Sequence, residues 1–503
     1  MNHHRATALL AAASLLALAG CGSSSNSGAT ATASATSASA SATSTTPATS
    51  APATTAPATS APPASATPPP SSAAPVPAEP DAKTTITVDC EPAKTQKQLR
   101  ADWEADVKTF QKAHPLITIK SVDTDPCVNP ATWNAKLKAG QVANVFYTYN
   151  TDAQDVINKG QALNIQSYAS TIPGLSDVIP AVKAVWQKGG TADGDLFGLP
   201  RKNYTLGLVY NRDLFTKAGL DPNSPPTTWD EVIADAKKIA ALGKGYVGYA
   251  DYSAGNTGGW HFTAEMYSQG GDITADGKTA DFNNDKGTAV LNNLHQMRWV
   301  DNSMGTKQLL GYDDLNQMMA AGKLGMHIGA PDQVQRDHDN FKANYSMIGM
   351  GPMPGGASTL LGGDGYLFNV KDTPDQVKAG LLWLEFQNLT PGQGQFNYAR
   401  ASAEKAGVGL PEPAIWTGAF AAADTAAKDK YRTIPAENFA PYVTDTPKLK
   451  GNVEPPNAQA VYADLDKVMS EVLTNKNADN AGLLKSHAAS VSKLLVAAPK
   501  PPA

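Results

Sequence analysis

The sequence predicts an α/β fold, and three observations support this prediction. Stretches with the alternation of a β-strand, such as TTITVDC (84–90), are followed by stretches with apolar residues at helical spacing, such as ADWEADVKTFQKAHP (101–115). Predicted helices carry capping residues, including Thr228 before WDEVIADAKKIAAL and Gly219 at the end of DLFTKAG. The charged part of the chain, about 420 residues, is too long for one ordinary core, which indicates two lobes.

The elements follow one another in a regular order. The predicted strands are TTITVDC, ITIKSVD, ANVFYTY, YTLGLVYN, a short strand in QGGDIT, LGMHIGAP, SMIGMGPMPGG and STLLGGDGYLFNV. The predicted helices are ADWEADVKTFQKAHP, TWNAKLKAGQ, DLFTKAGL, WDEVIADAKKIAAL, WHFTAEMYS, DKGTAVLNNLHQMRWVDN, LNQMMAAGK, PDQVKAGLLWLEFQNLT, AQAVYADLDKVMSEVLT and LLKSHAASVSKLLVAA. Asp152 is expected to cap a further helix after ANVFYTY, and ADGK is expected to form a hairpin turn.

Residues 1–20 have the composition of a secretory signal peptide. One firm charge, Arg5, precedes an apolar run that is too short to span a bilayer and that ends in small residues. The next residue is Cys21, and Leu18-Ala19-Gly20-Cys21 resembles the bacterial lipobox, in which cleavage precedes a cysteine whose sulfur carries diacylglycerol. Several acyl chains hold a protein durably to a membrane. A signal peptide with an incidental cysteine is the alternative.

Residues 21–82 are predicted to form a disordered tether behind Cys21. Ser, Thr, Ala and Pro dominate this segment, which has almost no charge and no aromatic residue, so it cannot bury enough apolar surface to offset chain entropy. Cys90 and Cys127 are the other two cysteines. Outside the cytoplasmic membrane an isolated pair is expected to form a disulfide, the alternative being two free thiols.

Composition and motifs argue against several classes of function. The net charge of −5 and the lack of a basic stripe give no support to nucleic-acid binding. No histidines are spaced for a helical zinc site, and neither a P-loop nor a G-x-S-x-G elbow is present. We therefore expect no catalytic residues, metal or cofactor. A secreted glycoside hydrolase stays open as an alternative, because its two carboxylates have no fixed spacing in sequence.

An ordered set of motifs resembles a known family. GLPRKNYTLGLVYNRDLFTKAGL and PPTTWDEV carry a Leu-Pro, a Tyr-Asn-x-Asp-Leu and a Pro-x-Thr-Trp-x-Glu, and QGGDI, AAGKLGMHIGAP, GPMP and GGDGYLFNV follow them. The set is similar to the family 1 extracellular solute-binding proteins of ABC transporters, in the carbohydrate branch that includes maltose-binding protein. The resemblance runs from about residue 84 to about 475.

The resemblance implies a two-lobe periplasmic-binding-protein fold at residues 83–495, with hinge strands and a ligand cleft that closes by hinge motion. It places lobe one at about 83–203 plus 353–382, and lobe two at about 205–350 plus 383–495. Residues 496–503 are then a tail. Ligand sites in open α/β sheets lie outside the carboxyl ends of strands, where the unusual polar and aromatic residues of this chain occur.

The resemblance also implies a set of ligand-binding residues. Trp260 lies where relatives stack an aromatic ring on a sugar, with an ordinary core tryptophan as the alternative. The other implied residues are Tyr149, Asn150 and Asp152 after the third strand, Arg201, Asn203 and Tyr204 on a crossing strand, and Gly363 with Asp364 at a strand end. The alternatives are a helix cap at Asp152 and a plain turn at Gly363. Asp332 stands where relatives often have tryptophan, and Trp416 is a candidate replacement for that ring.

The resulting hypothesis is a lipid-anchored binding protein on the extracellular face of the membrane. It would capture a sugar or oligosaccharide as a monomer and deliver it to the permease subunits of an ABC importer. The same fold binding a polyamine or a glycerol phosphodiester is the first alternative, with Asp152, Asp332 and Asp364 as candidate polyamine ligands. A secreted glycoside hydrolase is the more distant alternative.

Overall fold

The computed structural model describes residues 77–94, 96–123 and 130–497. The predicted signal peptide, Cys21, the tether up to residue 76 and Cys127 lie outside the described residues, as do residues 498–503. Within the described ranges, no helix is long and apolar enough to cross a membrane.

The strands form two sheets, a six-stranded first sheet and a four-stranded second sheet. The first sheet has the order β10-β9-β3-β1-β2, with β4 also paired to β9, and the second has the order β6-β7-β5-β8. The strands are β1 Thr84–Glu91, β2 Ile117–Asp123, β3 Val145–Tyr149, β4 Gly198–Thr205, β5 Gly207–Asn211, β6 Val247–Tyr249, β7 Leu324–Gly329, β8 Ile348–Gly351, β9 Ser358–Phe368 and β10 Lys450–Val453.

The helices of the described part cover both sheets. They are α1 Lys97–Ala113, α2 Pro130–Ala139, α3 Asn150–Asn158, α4 Pro180–Ala184, α5 Arg212–Lys217, α6 Trp229–Ala240, α7 Thr257–Ser268, α8 Asp285–His295, α9 Tyr312–Ala320, α10 Pro331–Phe341, α11 Pro374–Leu384, α12 Tyr398–Ala403, α13 Gly418–Tyr431, α14 Ala440–Asp445, α15 Ala458–Thr474 and α16 Asn480–Ala497. One π-helical turn extends each of α8 and α11, at Gln296–Val300 and Glu385–Leu389.

Local sequence explains most of these boundaries. The predicted cap at Thr228 is confirmed, since its side chain accepts from the backbone N–H of Glu231, whose own side chain accepts from the Thr228 N–H. The prediction for Asp152 is wrong, because Tyr149 occupies the N-cap position of α3 and Asp152 lies in the first turn. There the carboxylate faces the positive end of the helix dipole without capping it.

Two predicted strands differ from the structure. YTLGLVYN is divided at Leu206, so that β4 belongs to the first sheet and β5 to the second. The chain therefore crosses between the sheets at this point. The strand predicted after α7 is reduced to a single bridge between Thr274 and Ala280, because the loop between them folds back too soon for a ladder to form.

Separate hydrophobic cores lie against the two sheets. The core of the first sheet contains Trp103 and Trp383, whose rings meet edge to face with centroids 5.3 Å apart. This core also takes Leu389 and Trp416 from the segment after α11. The second sheet packs against two further clusters, one built largely from α7, α8 and α15 and the other from α9, α10 and β8. The predicted residue boundaries of the two lobes stay a prediction.

Candidate functional site

Strand register brings several of the predicted residues together on the first sheet. In β9, Asp364 pairs with Tyr149 of β3 on one side and with Lys202 of β4 on the other. The next β9 residue toward the N-terminus, Gly363, pairs with Asn203. Three strands that are far apart in sequence therefore present their polar residues at one level of the sheet.

Asp364 is the centre of a buried hydrogen-bond network. Arg201 donates to it twice, from Nε to Oδ1 at 2.7 Å and from Nη2 to Oδ2 at 2.6 Å, and Tyr147 Oη donates to Oδ2 at 2.7 Å. Burial raises the pKa of Tyr147 well above its ordinary value, and the charge of Asp364 raises it further. Tyr147 therefore stays a hydrogen-bond donor at any physiological pH, and the paired guanidinium is held in one geometry.

Lys202 links the first sheet to the elements that surround the second. Its Nζ lies 3.3 Å from Asp332 Oδ2 and 3.6 Å from Glu412 Oε1. Asp332 is in the first turn of α10, directly after β7. Asp332 therefore takes part in an ion pair between β4 of the first sheet and the helix that follows β7 of the second sheet.

A cavity of about 500 Å³ opens beside these ion pairs. Its lining includes Arg201, Lys202 and Asp332. Aromatic rings line it as well, namely Trp103, Tyr147, Tyr312, Tyr366, Phe396 and Tyr398. Its volume lies within the range of small-molecule sites, and its walls combine flat apolar faces with fixed polar groups.

The other predicted residues lie around a corner of the cleft formed at two glycines of β9. A Cβ on Gly363 would lie 2.6 Å from both Asn150 Nδ2 and Asn203 Oδ1, and one on Gly362 would lie 2.0 Å from the Tyr204 ring. The absence of side chains there lets three polar residues approach the strand. We call this corner the glycine corner.

Trp260 belongs to the glycine corner. Its ring meets that of Tyr204 edge to face, with centroids 6.1 Å apart, and both residues are half-buried. Trp260 Nε1 and Asn150 Oδ1 are buried and make no hydrogen bond within the described part of the chain. Trp260 is not among the residues that line the 500 Å³ cavity. Its predicted contact with the ligand stays a prediction.

Trp416 does not reach the cavity or the corner. It is 3% exposed and packs in the first core, with its ring centroid 5.0 Å from that of Phe396. The sequence could not identify Trp416 as a core tryptophan, because its burial depends on tertiary contacts such as that with Phe396.

Sequence reasoning missed Glu454, the residue directly after β10. Tyr462 Oη donates to its Oε1 at 2.9 Å, and burial raises the pKa of the carboxyl to about 8, with the charge of Asp152 acting in the same direction. Burial likewise raises the pKa of Asp152 to about 6, with a further contribution from Asp155. The available signal was a carboxylate at a strand end before Pro455 and Pro456.

Among the described residues, no group of three or more His, Cys, Asp or Glu side chains is arranged to hold a metal ion. Cys90 lines the cavity at the end of β1 with a φ of 72°, in the left-handed region. Its predicted partner Cys127 lies outside the described residues, so this pairing stays a prediction.

Comparison with known sequences gives a family. The profile of the family described as bacterial extracellular solute-binding protein matches residues 93–394. A Brucella abortus protein described as a binding protein is 30% identical over 165 residues, which are 32% of this chain and 39% of that protein. The sn-glycerol-3-phosphate-binding periplasmic protein UgpB of Brucella abortus is 42% identical over 74 residues, 15% of this chain and 16% of that protein. The matched part thus spans well under half of these relatives.

Solved structures share the fold over most of the chain. An ABC transporter solute-binding protein of Thermotoga lettingae bound with alpha-D-tagatose has a TM-score of 0.63 at 19% identity, covering 82% of this chain and 100% of that one. Maltose-bound MalE3 of T. maritima has 0.64 at 16%, covering 82% and 99%. UgpB of Mycobacterium tuberculosis in complex with glycerophosphocholine has 0.63 at 15%, covering 82% and 98%. The predicted two-lobe fold is confirmed.

Proposed function

The chain belongs to the bacterial extracellular solute-binding proteins, and on this premise we propose that it captures a sugar or small oligosaccharide outside the cell and delivers it to an ABC importer. The observation that carries the proposal is the charge balance of the 500 Å³ cavity. Its basic side chains have acidic partners at hydrogen-bonding distance, and aromatic faces lie between them. Such a cavity suits the uncharged, hydroxyl-rich part of a ligand.

Three basic side chains illustrate this charge balance. Arg201 is held by Asp364, and Lys202 lies between two carboxylates. Arg400 donates to Asp106 from Nη1 at 2.6 Å and from Nη2 at 3.0 Å. A phosphate group would have to displace one of these carboxylates, at the cost of leaving it buried without a partner. Hydroxyl groups can instead accept from the remaining N–H groups and donate to the carboxylates.

A glycerol phosphodiester is the second candidate ligand. The similarity to sn-glycerol-3-phosphate-binding relatives favours it, whereas the paired state of the cavity cations argues against it. For a polyamine, two of the three predicted carboxylates, Asp332 and Asp364, already have basic partners. Relatives that bind and do not catalyse make a hydrolase the least favoured reading.

Ligand binding and delivery are linked through lobe closure. Residues from both halves of the domain, such as Tyr147 of β3 and Tyr312 of α9, line the same cavity. A ligand that contacts both halves stabilises the closed form by its differential affinity for that form. We propose that the permease subunits of the importer bind the closed form.

The test is a thermal-shift screen of the purified full chain against neutral sugars, sugar phosphates and glycerol phosphodiesters. A ligand present at 100 times its Kd stabilises the fold by about 2.7 kcal/mol. Trp260→Ala is expected to weaken binding of the best ligand by about tenfold or more, as loss of an aromatic stacking face predicts. The matched control is Trp299→Ala, since Trp299 is also half-buried but lies in the turn that extends α8.

Three results would each contradict one part of this proposal. Selective stabilisation by phosphorylated solutes would favour the second candidate. Unchanged affinity of the Trp260→Ala variant would remove Trp260 from the site. Release of reducing sugar from an oligosaccharide in the same samples would contradict the non-enzymatic function.

We also propose that Cys21 anchors the mature chain to the outer face of the membrane as a lipoprotein, with the Ser/Thr/Ala/Pro segment as its tether and a monomeric binding domain beyond it. The lipobox and the charge-poor composition of residues 22–80 support this. A Cys21→Ser variant should be released into the medium, as immunoblots of cell and medium fractions would show. Equal retention of the variant in the membrane fraction would contradict the anchor.

A disulfide between Cys90 and Cys127 is proposed as well. On the chain-entropy model, closing this loop stabilises the fold by roughly 3–4 kcal/mol. Peptide mapping by mass spectrometry without reduction should recover the linked peptides, and a mapped free thiol at either position would contradict the pairing.

A further inference from the structure

Two strands of the first sheet end facing each other across the glycine corner. β3 runs antiparallel to β9 and ends with Tyr149 opposite Asp364, whereas β10 runs parallel to β9 and ends with Val453 opposite Leu361. Between these two register positions lie Gly362 and Gly363. Two carboxyl ends of strands therefore converge on one gap, which is where ligands bind in open α/β folds.

Glu454 is held at this gap. Tyr267 Oη donates to the Val453 carbonyl at 3.1 Å, which fixes the backbone just before it. Pro455 restricts the conformation of Glu454 from the other side. The hydrogen bond from Tyr462 occupies one carboxylate oxygen and leaves the other for a further partner. The side chain is half-buried, so solvent and ligand can reach it.

The Glu454 carboxylate differs from the carboxylates in and beside the cavity in having no basic partner among the described residues. Asp332, Asp364 and Asp106 each have a basic partner. Within the described part of the chain, no basic nitrogen lies within the 4.0 Å of an ion pair from Glu454. The nearby Asp152 adds like charge, since it raises the pKa of the Glu454 carboxyl. A half-buried carboxylate without a cation gains most from a cation that the ligand supplies.

Aromatic rings surround the same point. Burial is the main cause that raises the pKa of Tyr204, and the charge of Glu454 is the second. The charge of Glu454 also helps to raise the pKa of Tyr149. Strand register supports this proximity, since Glu454 follows Val453, which pairs with Leu361. Tyr204 pairs with the neighbouring Gly362 and Tyr149 with Asp364. The Trp260 ring lies against Tyr204. The buried Trp260 Nε1 and Asn150 Oδ1 of the same corner have no partner within the described residues. Aromatic faces around a carboxylate favour an ammonium group, through cation–π attraction added to the ion pair.

We propose that Glu454 is a ligand-binding residue that selects for a solute bearing an ammonium group, such as an amino sugar. The inference rests on the proposed carbohydrate-binding function and names the ligand class within it. The hydroxyl-rich part of the solute occupies the cavity beside Arg201 and Lys202. The ammonium group lies at the glycine corner, between Glu454 and the rings of Tyr204 and Trp260.

The experiment compares two disaccharides of the same β-1,4-linked glucose skeleton by titration calorimetry on the purified full chain. Glucosamine disaccharide carries ammonium groups at carbon 2 where cellobiose carries hydroxyls, and N,N'-diacetylchitobiose carries neutral amides. Glu454→Gln keeps the size of the side chain and an oxygen for Tyr462 but removes the charge. Its control is Glu437→Gln, because Glu437 is exposed. The pH is held at 6.5 so that the amino groups are protonated. Burial raises the pKa of the Glu454 carboxyl to about 8, and a bound ammonium group lowers it again, so binding at this pH is expected to release a proton from Glu454.

The wild-type chain is expected to bind glucosamine disaccharide about tenfold or more tightly than cellobiose, because a charge-assisted hydrogen bond contributes on this scale. Glu454→Gln is expected to abolish that preference without weakening cellobiose binding. Glu437→Gln should leave both affinities unchanged. Equal affinity for the two sugars, or an unchanged preference in Glu454→Gln, overturns the inference while the carbohydrate-binding function stands. If none of the three sugars binds, the inference is rejected; the wider screen then decides the proposed function separately.

Discussion

The buried pair of Arg201 and Asp364 offers the sharpest test of the site geometry. In Asp364→Asn the side chain keeps its size but loses its charge, and the guanidinium keeps no carboxylate at hydrogen-bonding distance. Removing one partner of a buried ion pair costs roughly 3–5 kcal/mol. The Arg201 side chain is 26% exposed, whereas that of Asp364 is 7% exposed. Water therefore screens part of the loss, and we expect the free energy of unfolding to fall by about 2–4 kcal/mol.

The matched control is Asp429→Asn in the surface pair of Asp429 and Arg432. The nitrogen-to-oxygen distance there is also 2.6 Å, but the two side chains are 59% and 32% exposed. Its loss should cost no more than about 1 kcal/mol. Urea denaturation followed by circular dichroism measures both variants against wild type. Equal costs for the two would refute the claim that burial of Asp364, and not the pair distance, determines its contribution.

Two further predictions concern the glycine corner and the pH dependence of stability. Gly362→Ala should displace the Tyr204 ring, because a Cβ at this position would lie 2.0 Å from it. Calorimetry should then show that ligand affinity falls about tenfold or more. The control Gly311→Ala should leave the affinity unchanged, since a Cβ there meets no neighbour closer than 3.8 Å. Burial raises the pKa of Asp372 to about 7 despite the hydrogen bond from Asn144. The folded chain therefore binds the Asp372 proton more tightly than the unfolded chain does. For this reason the contribution of Asp372 to the free energy of unfolding falls as the pH rises from about 4 to about 7. Asp372→Asn should flatten the decline in unfolding free energy over that range by on the order of 1–2 kcal/mol, and an unchanged urea-midpoint profile would contradict this.

Local patterns in the sequence predicted most helices and strands, because the start, end and type of such an element depend mainly on residues that are neighbours in the sequence. The capping box at Thr228 and the alternation in TTITVDC are complete within a few positions. The family motifs predicted the fold for the same reason, since they mark the ends of strands and helices. The division of YTLGLVYN into β4 and β5 could not be predicted this way. The whole stretch reads as one strand, and only tertiary pairing assigns its two ends to different sheets.

The site was predicted unevenly, because side-chain partners are long-range. Tyr149 could be placed by its position at the end of β3, and Asn203 lies within a strand as predicted. The prediction that Asp364 lies at a strand end is wrong, because β9 continues through Gly363 and Asp364 to Phe368. The pairing of Asp332 with Lys202, residues 130 positions apart, needs the folded register. Glu454 was missed because β10 is a short, largely exposed edge strand with little apolar alternation. Nothing near it in the sequence marks it as part of the same corner as Tyr149.

The contrast between the two ends of the site has a consequence for how a ligand would be oriented. Arg201 is fixed by two hydrogen bonds before any ligand arrives, so contacts to it cost little side-chain entropy. The charge of Arg201 is already neutralised by Asp364, so contacts to Arg201 favour hydroxyl groups and give little preference for one sugar over another. Among the described residues Glu454 has no basic partner, and Tyr462 occupies only one of its carboxylate oxygens, so a contact there would strongly favour an ammonium group. A solute that satisfies both ends therefore binds in one direction only: the cavity supplies affinity for the sugar skeleton, and the glycine corner determines which end of it enters there.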